Sequence, residues 1–210
     1  MPGRRRQKRT ERSKLDATPP WEGRVRDEPD TTTGPFDERD VPEDEVARVD
    51  LGALRVPVTD GMEVRLDLNE AQQVVSVTLA SPEGTMQLGV FAAPRNEGIW
   101  DDVRAEIAAS LNTQRRNSTS EKDGPFGTEL HGTLPADGGG AVPVRFIGVD
   151  GPRWFLRALL AGPVAAEPAK AAAFEDTLRE VVVVRGNEPL PVREPVPLQL
   201  PTGLELPEPQ

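Results

Sequence analysis

From about Val46 to Gly186 the chain is built of short apolar runs separated by turn residues, a pattern that predicts strands with two helices among them. Ala47 to Val58, Met62 to Leu68, Val74 to Leu79 and Met86 to Phe91 form a first strand series. The last two flank Ser81-Pro82-Glu83-Gly84 and are expected to pair as an antiparallel hairpin. Next, Ile99, Val103, Ile107 and Leu111 recur every four residues with Trp100 beside them, the single apolar stripe of an amphipathic helix. Asn96 is its expected N-cap, Asp101 and Asp102 suit its positive end, and Arg115 and Arg116 suit its C-terminal end or the loop beyond. The remainder of 112–127 reads as a surface loop.

A second strand series follows: Glu129 to Leu134, then Val142 to Val149 joined through Asp150-Gly151-Pro152 to Trp154 to Leu160. The β-branched and aromatic content of that last pair marks a buried hairpin. A second helix begins near Pro168, with Phe174, Leu178 and Val181 on its apolar face and Glu175 and Arg179 as an i, i+4 pair. The run Val181 to Val184 is too β-branched to remain helical, and Gly186-Asn187 ends it. Strands, helix, strands, helix predict an α+β fold: an antiparallel sheet of two hairpin-containing series, each followed by a helix that packs on it.

Composition divides the rest. Residues 17–45 hold Pro, Asp, Glu and Thr without periodicity, so 1–45 reads as a disordered basic arm and acidic linker ahead of a domain at 46–186. Residues 187–210 alternate Pro with Leu and Val, an extended tail whose apolar side chains are expected to pack back on the domain. The first sixteen residues carry seven Lys or Arg against Glu11 and Asp16, while everything after them holds 18 basic and 33 acidic side chains. An acidic body repels nucleic-acid phosphates. Contact through Arg4, Arg5, Arg6, Lys8 and Arg9 is therefore expected to be weak and salt-sensitive.

No apolar run reaches the roughly 18 to 20 residues that a membrane-spanning helix needs, and a cytosolic location is expected. With no Cys, disulfides, thiolate catalysis and Cys-ligated zinc are excluded. His131 is the only histidine, which rules out a multi-His metal site. Ser76, Ser81 and Ser110 lack the flanking glycines of a nucleophile elbow, and Gly138-Gly139-Gly140 lacks the Lys-Ser/Thr of a phosphate loop. Asp101, Asp102, Glu121 and Asp123 are acidic, but their spacing does not place two of them in one cleft. No catalytic residue, metal ligand or cofactor motif emerges.

The arginines beside aromatics are the binding candidates. By alternation Arg145 faces outward if Val144 and Phe146 face in, and Arg153, Phe155 and Arg157 share one side of their strand. Such a surface suits a carboxylate, a phosphate or a partner loop; the bland alternative is arginines paired with acids across the strands. Thr31, Thr32 and Thr33 in the linker, and Ser118 after Arg115-Arg116, are accessible candidates for phosphorylation.

Several blocks carry a family resemblance: Phe91-Ala92-Ala93-Pro94, Gly124-Pro125-Phe126-Gly127 with Glu129-Leu130, Gly151-Pro152-Arg153-Trp154-Phe155-Leu156-Arg157, and Val182-Val183-Val184-Arg185-Gly186. With the Leu/Pro tail they resemble the actinobacterial family known as domain of unknown function 3710, over roughly Val46 to Leu206. The resemblance implies a cytoplasmic protein without an assigned activity. At fold level the element order is similar to the Mog1/PsbP-type sandwich, whose members are mostly binding or accessory proteins. The function expected is a non-catalytic binding or adaptor module with a protein partner. The alternatives are an enzyme of unknown chemistry and a nucleic-acid-associated accessory protein acting through the basic arm.

Overall fold

In a computed structural model that describes residues 33–113, 118–136 and 139–201, these apolar runs close into two sheets. In chain order the elements are β1 (Phe36–Asp37), β2 (Arg48–Asp50), β3 (Leu54–Pro57), β4 (Glu63–Leu68), β5 (Val74–Ser81) and β6 (Gly84–Ala92), then α1 (Trp100–Asn112). There follow β7 (Ser120–Gly124), β8 (Gly127–Pro135), β9 (Ala141–Gly151), β10 (Trp154–Ala161), α2 (Pro163–Ala166), α3 (Pro168–Arg179) and β11 (Val182–Val183). Seven strands form the larger sheet in the order β4-β5-β6-β10-β9-β8-β7, antiparallel throughout. A smaller sheet runs β1-β11-β3-β2. The fold is α+β, and both expected hairpins, β5–β6 and β9–β10, form.

Period-2 alternation gives the larger sheet two faces with different covers. Val77, Leu79, Met86, Leu88, Val90, Leu156, Ala158 and Leu160 point to one side and join Leu54, Val56 and Val183 of the small sheet and Ala171, Phe174 and Leu178 of α3 in the main core. Each buried Val, Leu, Met or Phe among them contributes about 1.5–3 kcal/mol of transfer free energy. On the other side α1 packs Trp100 and Leu111 against Leu130, Val144, Phe146 and Phe155. Gly148 makes that approach feasible, since a Cβ there would lie 2.2 Å from Trp100 Cδ2.

Several expectations are corrected. Phe36, assigned to the linker, is 6% exposed in β1, which pairs in parallel with β11. Two residues are too few for periodicity to reveal. Part of the expected loop at 112–127 is the edge strand β7, whose polar Ser-Glu-Lys-Asp run shows no apolar face. The β9–β10 turn lies at Pro152-Arg153, because pairing continues to Gly151 opposite Trp154. Asn96 does not cap α1. The Asp150 carboxylate of β9 accepts the Ile99 and Trp100 amides at 2.8 and 3.2 Å. Glu175 and Arg179 do not pair: Glu175 binds Arg145 at 2.6 Å and Arg179 binds Asp176 at 2.8 Å.

The described part of the tail does pack back. β5 pairs with β6 from Ser81 and Gly84 only as far as Val77 and Leu88, leaving the far end of β6 with an open edge. The tail fills it: the Ala92 amide donates to Glu194 O at 2.8 Å, the Val196 amide to Val90 O at 2.8 Å and the Leu198 amide to Val74 O at 3.2 Å. Pro195 falls opposite Phe91 between these bonds, where its missing donor costs nothing. Val196 and Leu198 are buried, and the Gln199 amide reaches Leu51 O at 2.8 Å, so the tail ties the two sheets together.

Candidate functional site

The four residues singled out in sequence do not share a surface. Arg145 does lie opposite Val144 and Phe146, but its face is covered by α3, so it is 6% exposed and not outward. Its guanidinium donates to Glu129 through Nε at 2.5 Å and Nη2 at 2.8 Å, and through Nη1 to Glu175 at 2.6 Å. Glu129 is itself 2% exposed. This buried triad docks α3 on β8 and β9. Both carboxylates raise the already high pKa of Arg145 against the opposing effect of burial. His131 sits 3.6 Å from Glu129, its pKa lowered mainly by burial and then by the positive charge of Lys122.

Phe155 is also enclosed, 1% exposed, with Trp100 stacked at 5.9 Å and Phe91 tilted at 6.1 Å between ring centroids. Arg153 leaves the strand for the turn, held at φ 65° in the left-handed region. Its carbonyl accepts the Ala93 amide at 3.0 Å and Arg185 Nε at 3.1 Å.

Arg157 alone is a half-buried strand residue at the border of the area that α1 covers. It occupies the α1 side of the larger sheet, with Gly89 of β6 and Gly148 of β9 opposite it on either hand. Its Cζ stands 5.0 Å from the centroid of the half-buried Phe91 ring, a cation–π contact. Among the described residues no carboxylate comes within ion-pair distance of it. Partial burial without a counter-charge lowers its pKa.

The same face extends over β6, β5 and β4 with small and polar residues. Asp67 Oδ2 accepts Ser76 Oγ at 2.7 Å, Thr78 Oγ1 at 2.8 Å and Gln87 Nε2 at 3.1 Å, which fixes that carboxylate in place. Asp67 is opposite Ser76 and Arg157 is opposite Gly89, and although β5 and β6 stop pairing at Val77 and Leu88, the two charges share this face of the sheet. Three strand spacings separate them by about 14 Å. The sequence reading missed Asp67, Gly89 and Phe91. The signal for Gly89 and Phe91 is the alternation in β6, where Thr85, Gln87, Gly89 and Phe91 take one face and Met86, Leu88 and Val90 the other.

The remaining candidates are dispersed. Asp101 and Glu121 both bind Arg104, at 2.8 and 2.9 Å, and do not form an acidic cleft. Among the described residues no group of three His, Asp or Glu side chains is placed to hold a metal ion. A shallow depression of about 530 Å³ at the β4–β5 end is lined by Met62, Glu63, Arg65 and Pro82, with Glu63 and Arg65 paired at 2.7 Å. Thr33 and Ser118 are exposed. Thr31, Thr32, the basic arm with Arg4, Arg5, Arg6, Lys8 and Arg9, and Arg115 and Arg116 lie outside the described residues. Among the described residues no helix is long and apolar enough to cross a membrane.

Comparison with solved structures finds partial likeness at low identity. The solution structure of cyanobacterial PsbP (CyanoP) from Synechocystis sp. PCC 6803 is similar at TM-score 0.40 and 11% identity, over 66% of this chain and 92% of that one. LpqN, described as involved in cell envelope biogenesis of Mycobacterium tuberculosis, is similar at TM-score 0.33 and 11% identity, over 72% and 90% of the two chains. No curated protein matches the chain in sequence. The pattern of the family described as "Protein of unknown function (DUF3710)" matches residues 34–206, a span running from the start of β1 through both sheets into the tail, and the chain belongs to that family.

Proposed function

We propose that this protein is a non-catalytic binding module whose contact surface is the open half of the seven-stranded sheet, centred on Arg157 and Phe91. Its partner is a protein segment that presents an acidic side chain. The observation that carries the reading is the guanidinium of Arg157, laid over Phe91 with no acid of this chain against it among the described residues. A planar cation backed by an aromatic ring leaves its donor edge free for bidentate pairing with a carboxylate. Gly89 leaves room for the Phe91 ring on one side of Arg157, and Trp100 lies over Gly148 on the other, so the guanidinium sits between two aromatic side chains. Asp67, fixed by three donors, supplies the opposite charge about 14 Å off, a span that four residues of extended chain cover. Charges of both signs at a set spacing select one orientation of a partner strand.

The test compares affinity purification from the native cell using the parent chain and Arg157→Ala, followed by titration of the recovered partner. A charge-assisted hydrogen-bonded pair contributes about 1.5–3 kcal/mol, so the variant is expected to bind roughly ten- to a hundred-fold more weakly with an unchanged unfolding midpoint. Equal capture and equal affinity would refute the assignment.

A further inference from the structure

Arg185 follows β11 and is held on both sides. The Val184 amide bonds Ala53 O at 2.9 Å, and Gly186 turns the chain at φ 65°. The side chain is 8% exposed, yet its partners are only main-chain carbonyls: Nε donates to Arg153 O and Nη1 to Glu188 O, each at 3.1 Å. No ion pair reaches it among the described residues, in a chain of net charge −10 where acids are plentiful. Two other enclosed arginines differ. Arg145 holds Glu129 and Glu175, and Arg48 holds Asp44 and Glu180. A guanidinium this enclosed is ordinarily matched by an anion.

A second arginine close by makes the deficit larger. Arg153 sits at the adjacent turn, has no ion pair among the described residues, and is held in a backbone region that few non-glycine residues occupy. Burial first, and then the positive charge of Arg153, lower the pKa of Arg185; Glu188 opposes this without closing an ion pair. Arg185 Nη2 makes no hydrogen bond among the described residues, and no buried side-chain nitrogen is left without a partner, so Nη2 reaches solvent.

We infer that Arg185 and Arg153 form a subsite for a phosphoryl group, a tetrahedral dianion that takes hydrogen bonds from Nη2 of the buried guanidinium and from the half-buried arginine at the turn. Dianionic phosphate matches two like charges held together, and Arg is the side chain best shaped to bind it. This subsite is separate from the Arg157 surface and stands whether or not that surface binds a protein.

The experiment titrates the full chain with inorganic phosphate, O-phosphothreonine and a 5′-mononucleotide in separate runs. Sodium chloride at matched ionic strength is the control, and the readout is the Arg Nε–Hε NMR signals. Saturable shifts of the Arg185 signal are expected with a phosphoryl compound and not with chloride, and the tightest of the three names the source of the group. Arg153→Ala, a change at a half-buried turn residue outside the apolar core, is expected to weaken that binding about tenfold or more. Arg185→Lys is expected to abolish the saturable shifts elsewhere in the turn. Phosphate shifts no larger than those of chloride, or unchanged affinity in Arg153→Ala, would overturn the inference.

Discussion

Replacing Arg145 by Met tests how the buried triad holds α3 to the large sheet. The side chains of Glu129, Arg145 and Glu175 are 2%, 7% and 15% exposed, so their charges are largely stripped of water. Met approximates the volume of the aliphatic stem but removes every donor. Glu129 then keeps its burial and loses both bonds from Arg145. Breaking a buried pair from one side costs about 3–5 kcal/mol, since the charge left behind is uncompensated. For a domain of this size that lowers the thermal midpoint by about 6–20 °C. The triple variant Glu129→Gln, Arg145→Met, Glu175→Gln removes all three charges together and is expected to recover most of the loss, because the desolvation cost disappears along with the attraction. Urea unfolding of the parent, the single and the triple variant measures both steps. A single variant within about 1 kcal/mol of the parent, or a triple variant no more stable than the single, would show that the triad is not the buried unit described.

Two other substitutions probe local devices. Asp150→Ala removes the carboxylate that accepts the Ile99 and Trp100 amides, and is expected to cost about 0.5–2 kcal/mol with faster amide exchange in the first turn of α1; unchanged exchange there would show the cap to be idle. His131 has its pKa lowered by burial and Lys122, so the unfolded chain takes up its proton more readily as pH falls below about 6.5. Stability is therefore lost on acidification through that range, and His131→Asn is expected to lose less between about pH 7.5 and 5.5 than the parent. Parallel pH profiles of the two in urea would contradict this.

The sequence alone determined the elements that carry their own pattern. The β5–β6 and β9–β10 hairpins follow from apolar runs on either side of turn residues, and α3 follows from Pro168 at its start and Phe174 and Leu178 on one face. The β-branched run after α3 marked where that helix fails without naming β11, and the Pro/Leu alternation foretold a tail that packs. These signals are local, because backbone preference and side-chain period act within a few residues.

Only the tertiary structure decided which face of each strand meets solvent. Arg145 and Arg157 lie on neighbouring strands of one sheet, each flanked by apolar residues, and nothing local separates them. One becomes the centre of a buried triad because α3 crosses its side of the sheet; the other stays without a counter-charge because α1 covers only part of the opposite side. The α1 cap comes from Asp150, some fifty positions along the chain from Ile99, and Phe36 counts as a strand residue only because β11 lies beside it. Alternation assigns side chains to two faces, but what covers each face depends on elements remote in sequence. Paired and unpaired arginines therefore look alike until the chain has folded.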